Sequence, residues 1–282
     1  MSCPDYKFAH LSDLHFSKVD FHPKQLLSKR WLGNANFLFR RKKEFDYAQL
    51  EQIIPILRKE QVSLVLISGD VSCTSSEAEF QKTLHFTKSL HHLGIEVLVL
   101  PGNHDQYTKE SYRTKLFYRF FPSTLQTNKF LIKPLSGSWS LVALDTALPT
   151  PLFCSHGCFD EQLENKLEQA LSELPKEVNI ILANHFPIAS KAMALKRERH
   201  LLSLIKKHPN IKLYLHGHLH RPAILDLRSK QLPVMIDSGS ATHKAFGNWN
   251  LVACKAKECQ VTPYRLSKDL WTPQPSFSLL GD

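Results

Sequence analysis

Five short clusters of carboxylate, amide and imidazole side chains are spaced along this chain of 282 residues. In order they are Asp13-Leu14-His15, Gly69-Asp70, Gly102-Asn103-His104-Asp105, Asn184-His185 and Gly217-His218-Leu219-His220. Oxygen and nitrogen donors of this kind suit Mn²⁺, Fe or Zn²⁺. These residue types therefore indicate a site for divalent metal, and a bound divalent ion can act as a Lewis acid and activate water.

The spacing within the clusters favours shared ligands over isolated polar residues. Asp13 and His15, like His218 and His220, are two positions apart, which places both side chains on one side of extended backbone. An isolated D-x-H or G-D is commonplace and usually binds no metal, but five such clusters are hard to explain by chance. Histidines outside the clusters are expected to be surface or satisfied core residues: His10, His85, His91, His92, His200 and His208.

Predicted strands end directly before or close to these clusters. Buried strands are predicted at 6–11, 64–68 and 95–100, with helical apolar spacing at 46–59 and 77–93 between them. This alternation predicts βαβ units and a largely parallel sheet. The pattern resumes with strands at 141–144, 178–183 and 211–216 and helices at 160–174 and 197–207. Because ligands bind at the carboxyl ends of such strands, the five clusters should converge on one site.

After His220 the predicted helices stop. Short strands at 223–227, 234–237, 250–254 and 260–264 predict an antiparallel run that closes a second sheet, followed by an irregular tail after Ser267. We expect residues 1–282 to form one domain.

Two long segments interrupt this plan, a basic insert at residues 17–45 and a possible cap at residues 106–128. Loops of this length in a compact domain are usually functional lids or disordered.

The composition favours acidic partners. The chain has 36 Lys and Arg against 26 Asp and Glu, a formal charge of +10 with His neutral. Such a charge favours phosphates, nucleic acid or an anionic membrane surface. The apolar runs are shorter than the roughly 20 residues of a membrane-spanning helix, and the N-terminus has no leader pattern. We therefore expect a cytoplasmic protein whose six Cys remain thiols.

The five clusters resemble the D-x-H, G-D, G-N-H-[DE], H and G-H-x-H blocks of the calcineurin-like metallophosphoesterase superfamily, from Tyr6 to about Tyr264. The resemblance implies an α/β fold, a four-layer α-β-β-α sandwich of two facing sheets. It also implies two divalent metal ions, Mn²⁺ foremost with Fe, Zn²⁺ or Mg²⁺ as alternatives, and a metal-bound hydroxide that attacks phosphorus.

The resemblance also implies a role for each matching residue. The expected metal ligands are Asp13, His15 and His220 for the first ion, Asn103, His185 and His218 for the second, and Asp70 as the bridge. His104 would protonate or stabilise the leaving oxygen, and Asp105 would orient His104. The family often has a polar residue shortly after G-D, whereas Val71-Ser72-Cys73-Thr74 follows here, and Cys73 is expected to be a small buried thiol.

The basic insert predicts a specific substrate. Its aromatic and aliphatic residues and its cations have the composition of a helix at a membrane interface, with a lid helix as the equal alternative. The residues concerned are Trp31, Leu38, Arg40, Arg41, Lys42 and Lys43. The insert follows His15, so we expect a lipid-linked nucleotide at the metal site. The chain resembles the UDP-2,3-diacylglucosamine pyrophosphatases of lipid A synthesis, which are peripheral on the cytoplasmic face of the inner membrane.

Other functions stay open. A soluble phosphodiesterase, for example of cyclic nucleotides, would share the metal site. A nuclease is also compatible, because the aromatic and basic residues at 107–121 could stack bases and follow a phosphate backbone. A noncatalytic scaffold is least favoured, since such proteins lose metal ligands and all seven are present here.

Overall fold

The computed structural model describes residues 6–18, 30, 44–136, 138–189, 194–256 and 258–279. Within these residues it has two large β-sheets that face each other, which confirms the predicted fold class. None of the helices described there has the length and apolar character needed to cross a membrane.

The first sheet combines a parallel half with an antiparallel half. Its strands are β1 (Tyr6–Leu11), β2 (Leu64–Ile67), β3 (Glu96–Val99), β12 (Asn248–Cys254), β13 (Cys259–Ser267), β14 (Leu270–Pro273) and β15 (Phe277–Ser278). The strand order is β14-β13-β12-β1-β2-β3, and β15 pairs with β13. The crossovers of the parallel half are α1 (Ala48–Lys59) and α2 (Glu77–His92).

The second sheet is parallel at its centre. Its strands are β4 (Phe130–Ser136), β5 (Trp139–Leu144), β7 (Asn179–Ala183), β9 (Ile211–His216), β10 (Ala223–Asp226) and β11 (Val234–Asp237), in the order β10-β11-β9-β7-β5-β4. Helices α6 (Glu161–Glu173) and α7 (Glu198–Lys207) follow β5 and β7 in the chain. The short strands β6 (Gly157–Cys158) and β8 (Leu195–Lys196) form a separate two-stranded ribbon.

Alternating side chains hold the layers together. On β5, Leu141 packs in the same buried cluster as Phe8 of the first sheet. Its neighbour Val142 points to the other face and packs in the cluster that contains Leu163 of α6. Both residues are fully buried, and β5 is buried along its whole length, as expected for a strand covered on both faces. This packing fixes the ends of the strands that carry the site.

The structure corrects the prediction for the C-terminal strands. They do not close the second sheet as one antiparallel run: β10 and β11 extend that sheet, with β11 parallel to β9, while β12 and β13 join the first sheet. The tail after Ser267 is not irregular, because it contains β14 and β15.

The two interrupting segments have different outcomes. The cap segment contains three short helices, α3 (Lys109–Arg113), α4 (Leu116–Phe120) and α5 (Leu125–Asn128). Most of the basic insert, including Trp31, Leu38 and the four cations Arg40, Arg41, Lys42 and Lys43, lies outside the described residues.

Candidate metal centre

The seven expected ligands lie on loops that leave the carboxyl ends of parallel strands. Asp13 and His15 follow β1, Asp70 follows β2, and Asn103 follows β3 in the first sheet. The second sheet contributes His185 after β7 and His218 and His220 after β9. The loops of both sheets converge, as the sequence predicted.

The first group of donor atoms belongs to Asp13, His15, Asp70 and His220, all within 4.8 Å of one another. Nε2 of His220 lies 3.0 Å from Oδ1 of Asp13, and Nε2 of His15 lies 3.8 Å from Oδ2 of Asp70. The Nε2 atoms of His15 and His220 are 2.8 Å apart. Two carboxylates and two imidazoles at this separation could share one cation.

The second group belongs to Asp70, His185 and His218, also within 4.8 Å. Nε2 of His185 lies 3.4 Å from Oδ2 of Asp70. The side-chain oxygen of Asn103 lies 2.9 Å from Nδ1 of His218 and 3.3 Å from Nε2 of His185. Asp70 is therefore common to both groups, and these clusters suggest a dinuclear divalent metal site.

Left-handed backbone conformations direct these side chains. The φ angles of five expected ligands are positive: Asp13 53°, His15 47°, Asp70 52°, His218 77° and His220 57°. Such angles are uncommon outside glycine and concentrate at functional sites. The first two loops are joined by backbone hydrogen bonds, from Asp13 to the Gly69 carbonyl at 3.0 Å and from His15 to the Asp70 carbonyl at 2.9 Å.

Close approach explains Gly102. A Cβ there would collide with the carboxylate and the backbone nitrogen of Asp70. The G-N-H-D loop can therefore contact Asp70 only if this position has no side chain.

The charges of the centre are strongly coupled. Burial would raise the pKa of Asp70, but the imidazoles of His185, His104 and His15 hold it well below its ordinary range. Burial would lower the pKa of His185, but the Asp70 carboxylate raises it to about 9. Burial would also raise the pKa of Asp13, but His220 and His15 hold it well below its ordinary range. Both carboxylates are thus ionised, and anionic oxygens with imidazole nitrogens are a donor set that fits divalent metal.

His104 lies beside the first group without belonging to it. Its ring is edge-on to that of His15 at 5.0 Å and stacked on that of Tyr107 at 5.4 Å. Its Nδ1 lies 2.6 Å from the Cys73 carbonyl oxygen, which can only accept a hydrogen bond. Nδ1 therefore carries a proton, and Nε2 is the nitrogen that can exchange protons with a substrate.

Asp105 is buried and holds two loops. Its carboxylate accepts hydrogen bonds from the backbone N–H groups of Gly102, Val71 and Ser72 and from the Ser72 hydroxyl. Burial and the charge of Asp70 raise its pKa to about 7. The sequence predicted that Asp105 orients His104 but not by which contacts. These hydrogen bonds would position His104 by fixing the backbone of its loop.

Two hydroxyls support the first loop and had no role in the sequence prediction. Ser240 donates to the Asp13 carbonyl at 2.7 Å, and Thr242 donates to the Leu14 carbonyl at 3.0 Å. The only sequence signal was the run of small residues from Asp237 to Thr242. Cys73 is buried, as expected, and its thiol donates to the His15 carbonyl at 3.1 Å.

Known proteins share this sequence pattern and this fold. The chain is 24% identical over 190 residues to the 3',5'-cyclic adenosine monophosphate phosphodiesterase CpdA of Escherichia coli K12, covering 66% of this chain and 63% of that protein. It is 24% identical over 178 residues to a 3',5'-cyclic-nucleotide phosphodiesterase of Nostoc sp., covering 61% of this chain and 59% of that protein. The chain thus spans less than two thirds of either relative.

The fold is also that of a solved metalloenzyme. A dimetal phosphatase from Danio rerio superposes with a TM-score of 0.68 at 11% identity, covering 98% of both chains. The sequence pattern of the calcineurin-like phosphoesterase family matches residues 6–222, which include all seven expected ligands. The chain therefore belongs to the calcineurin-like phosphoesterase family.

Proposed function

We propose that this protein is a dinuclear-metal phosphohydrolase that cleaves a phosphodiester or pyrophosphate bond in a nucleotide-containing substrate. The observation that carries the proposal is the pair of donor groups that share Asp70. In this role Asp13, His15 and His220 hold one ion, and Asn103, His185 and His218 hold the other. We propose Mn²⁺ as the resident metal, with Fe, Zn²⁺ or Mg²⁺ as alternatives.

When bound, two such ions bind phosphoryl oxygens, activate water and stabilise the charge of in-line displacement. His104 performs the proton chemistry. Its Nδ1 donates to the Cys73 carbonyl, so a protonated ring presents its second proton at Nε2 to the leaving oxygen. Asp105 keeps this loop against the loop of Asp70.

The preferred substrate class is a cyclic nucleotide or a related nucleotide phosphodiester. The two relatives described above are named for cyclic-nucleotide hydrolysis, and they support this class. The measurement is hydrolysis of 3',5'-cyclic AMP and of a small aryl phosphodiester by protein loaded with Mn²⁺. Chelation should abolish both activities and restored metal should return them; hydrolysis that persists without metal would contradict the proposal.

A second candidate is the UDP-2,3-diacylglucosamine pyrophosphatase reaction of lipid A synthesis, at the cytoplasmic face of a membrane. A cavity of about 940 Å³ between α1 and α2 supports it. Its walls include Phe16, Leu50, Ile54 and Phe86, and Phe16 directly follows the expected ligand His15. Such a cavity next to the first metal loop suits an acyl chain.

The cavity gives this candidate its own test. Ala78 lines the cavity, and Ala78→Phe would fill part of it. We expect this change to slow hydrolysis of the acylated sugar nucleotide and to spare the aryl phosphodiester. Ala170→Phe, at a similarly half-buried alanine on α6, is the control. Equal effects on both substrates, or no turnover of the lipid by the unaltered protein, would exclude the lipid candidate. The predicted membrane contact of Trp31, Leu38 and Arg40 to Lys43 has a separate measurement, salt-sensitive binding to anionic liposomes.

A further inference from the structure

A series of aromatic rings leads from the first metal group to the surface. The Phe45 ring lies 5.2 Å from that of His15 and 6.1 Å from that of His220. The His243 ring lies 5.8 Å from Phe45, and the Phe246 ring lies 5.1 Å from His243. Whatever group is attached to a phosphate at the metal centre can therefore continue along these rings.

Exposure changes along the series. Phe45 is only 5% exposed, and its backbone forms an antiparallel bridge with His243. Phe246 is 54% exposed, although exposing a large apolar side chain to water costs free energy. The inner part of the series is thus fixed in the core, and the outer ring offers a face to a ligand.

Hydrogen bonds hold the inner side of this face rigid. The backbone N–H groups of Ala245 and Phe246 both donate to Nδ1 of His243, each at 3.1 Å. Nδ1 is therefore an acceptor, and the single proton of the neutral ring is on Nε2. A fixed imidazole beside an exposed phenyl ring suits a flat heteroaromatic ligand better than an acyl chain, because it adds a polar group to a stacking surface.

We propose that Phe246, supported by His243, is the stacking subsite for the base of the nucleotide substrate. The inference rests on the proposed function and adds the part of the substrate that this face recognises. A base is common to cyclic nucleotides and to UDP-linked lipids, so the subsite suits either source. Stacking on an aromatic side chain tolerates different bases because every base has a π-face.

The test compares the binding of a nucleotide product with that of an analogue that lacks the base. Calorimetry with Mn²⁺-loaded protein compares a nucleoside 5'-monophosphate with ribose 5-phosphate. Base stacking predicts that the nucleotide binds about 5- to 150-fold more tightly. Phe246→Ala should bring this ratio close to one without changing the affinity for ribose 5-phosphate, and Phe246→Trp should preserve the ratio. Kinetics separate the two sources: Phe246→Ala should lower kcat/KM for 3',5'-cyclic AMP if the substrate is a cyclic nucleotide, and for a UDP-linked sugar if the substrate is UDP-linked.

Leu93→Ala is the control. Leu93 is also an exposed apolar residue, at 40%, and it lies between α2 and the start of β3. The expected metal ligand follows the other end of β3. Leu93→Ala should leave the ratio unchanged. A ratio near one in the unaltered protein, or an unchanged ratio in Phe246→Ala, would overturn the subsite. Metal-dependent hydrolysis of an aryl phosphodiester is measured in the same preparations. Its presence with a ratio near one refutes the subsite alone, and its absence refutes the proposed function.

Discussion

The hydroxyl of Thr242 should control the affinity for the first metal ion. It donates to the Leu14 carbonyl, between the ligands Asp13 and His15, whose backbone is left-handed. Thr242→Val keeps the shape of the side chain but removes the donor. An unsatisfied buried carbonyl costs about 1 to 3 kcal/mol. We therefore expect the free energy of unfolding of the metal-free protein to fall by up to that amount.

The effect on metal follows from strain in the ligand loop. Without the hydroxyl, the loop of the metal-free variant can relax away from its left-handed conformation, and metal binding must restore it. If about half of the cost falls on this step, affinity for the first ion falls about 2- to 12-fold, because 1.4 kcal/mol is a factor of ten. The second ion should bind as before, since its ligands lie on other loops. Calorimetric titration of metal into the metal-free variant measures both steps.

A matched control removes a similar hydroxyl elsewhere. Thr87 is buried on α2, and its hydroxyl donates to the Leu84 carbonyl of the same helix. Thr87→Val should lower the free energy of unfolding slightly and should leave the affinities for both metal ions unchanged. Ser240→Ala should act like Thr242→Val, and the double variant should be non-additive because the two hydroxyls are 3.3 Å apart. Unchanged first-ion affinity in the double variant would refute the reasoning.

Three further changes probe the centre and its support. Asp70→Ala should abolish turnover and lower metal content at both sites, measured by elemental analysis, because both donor groups share this carboxylate; near-normal turnover would refute the shared site. His104→Ala should keep the metal and slow turnover by roughly 10² to 10⁴, most for poor leaving groups, and parallel loss of metal would make His104 a ligand. Asp145→Ala should lower the free energy of unfolding by about 2 to 4 kcal/mol in urea denaturation, because it removes the partner of the Tyr118 hydroxyl and the Lys129 ammonium. This loss is smaller than that for a fully buried pair because the Lys129 side chain is 31% exposed. Asp145→Asn should lower the free energy of unfolding by less than Asp145→Ala, and equal losses in the two variants would contradict this account.

Local patterns were enough to predict much of the fold. The strand predicted at 6–11 and the strand at 234–237 match β1 and β11, because four-to-six-residue apolar runs between turn residues are recognisable without knowledge of their partners. Partner choice was not recognisable in the same way. The pairing of β12 with β1 joins segments at opposite ends of the chain, and no local pattern distinguishes it from pairing within the second sheet.

The site follows the same division. Asp13, His15 and Asp70 could be singled out as candidates because their types and spacing form short blocks, and the structure brings their donor atoms together. The hydroxyl of Ser240 was given no role because its acceptor, the Asp13 carbonyl, is 227 positions away. Serine occurs in many structural contexts, and only the contact in the folded protein shows that this hydroxyl supports the Asp13 loop.

The position of β1 has a consequence for truncation and for synthesis on the ribosome. This strand is central in its sheet, with β2 on one side and β12 on the other, and Tyr6 pairs with Cys254. The stretch that matches the family pattern, residues 6–222, ends before β12. A protein cut after residue 222 would expose one side of β1 as an open edge, which is prone to pair with other chains. The nascent chain likewise cannot complete this sheet until its last strands have emerged. We therefore expect the 6–222 fragment to aggregate rather than fold.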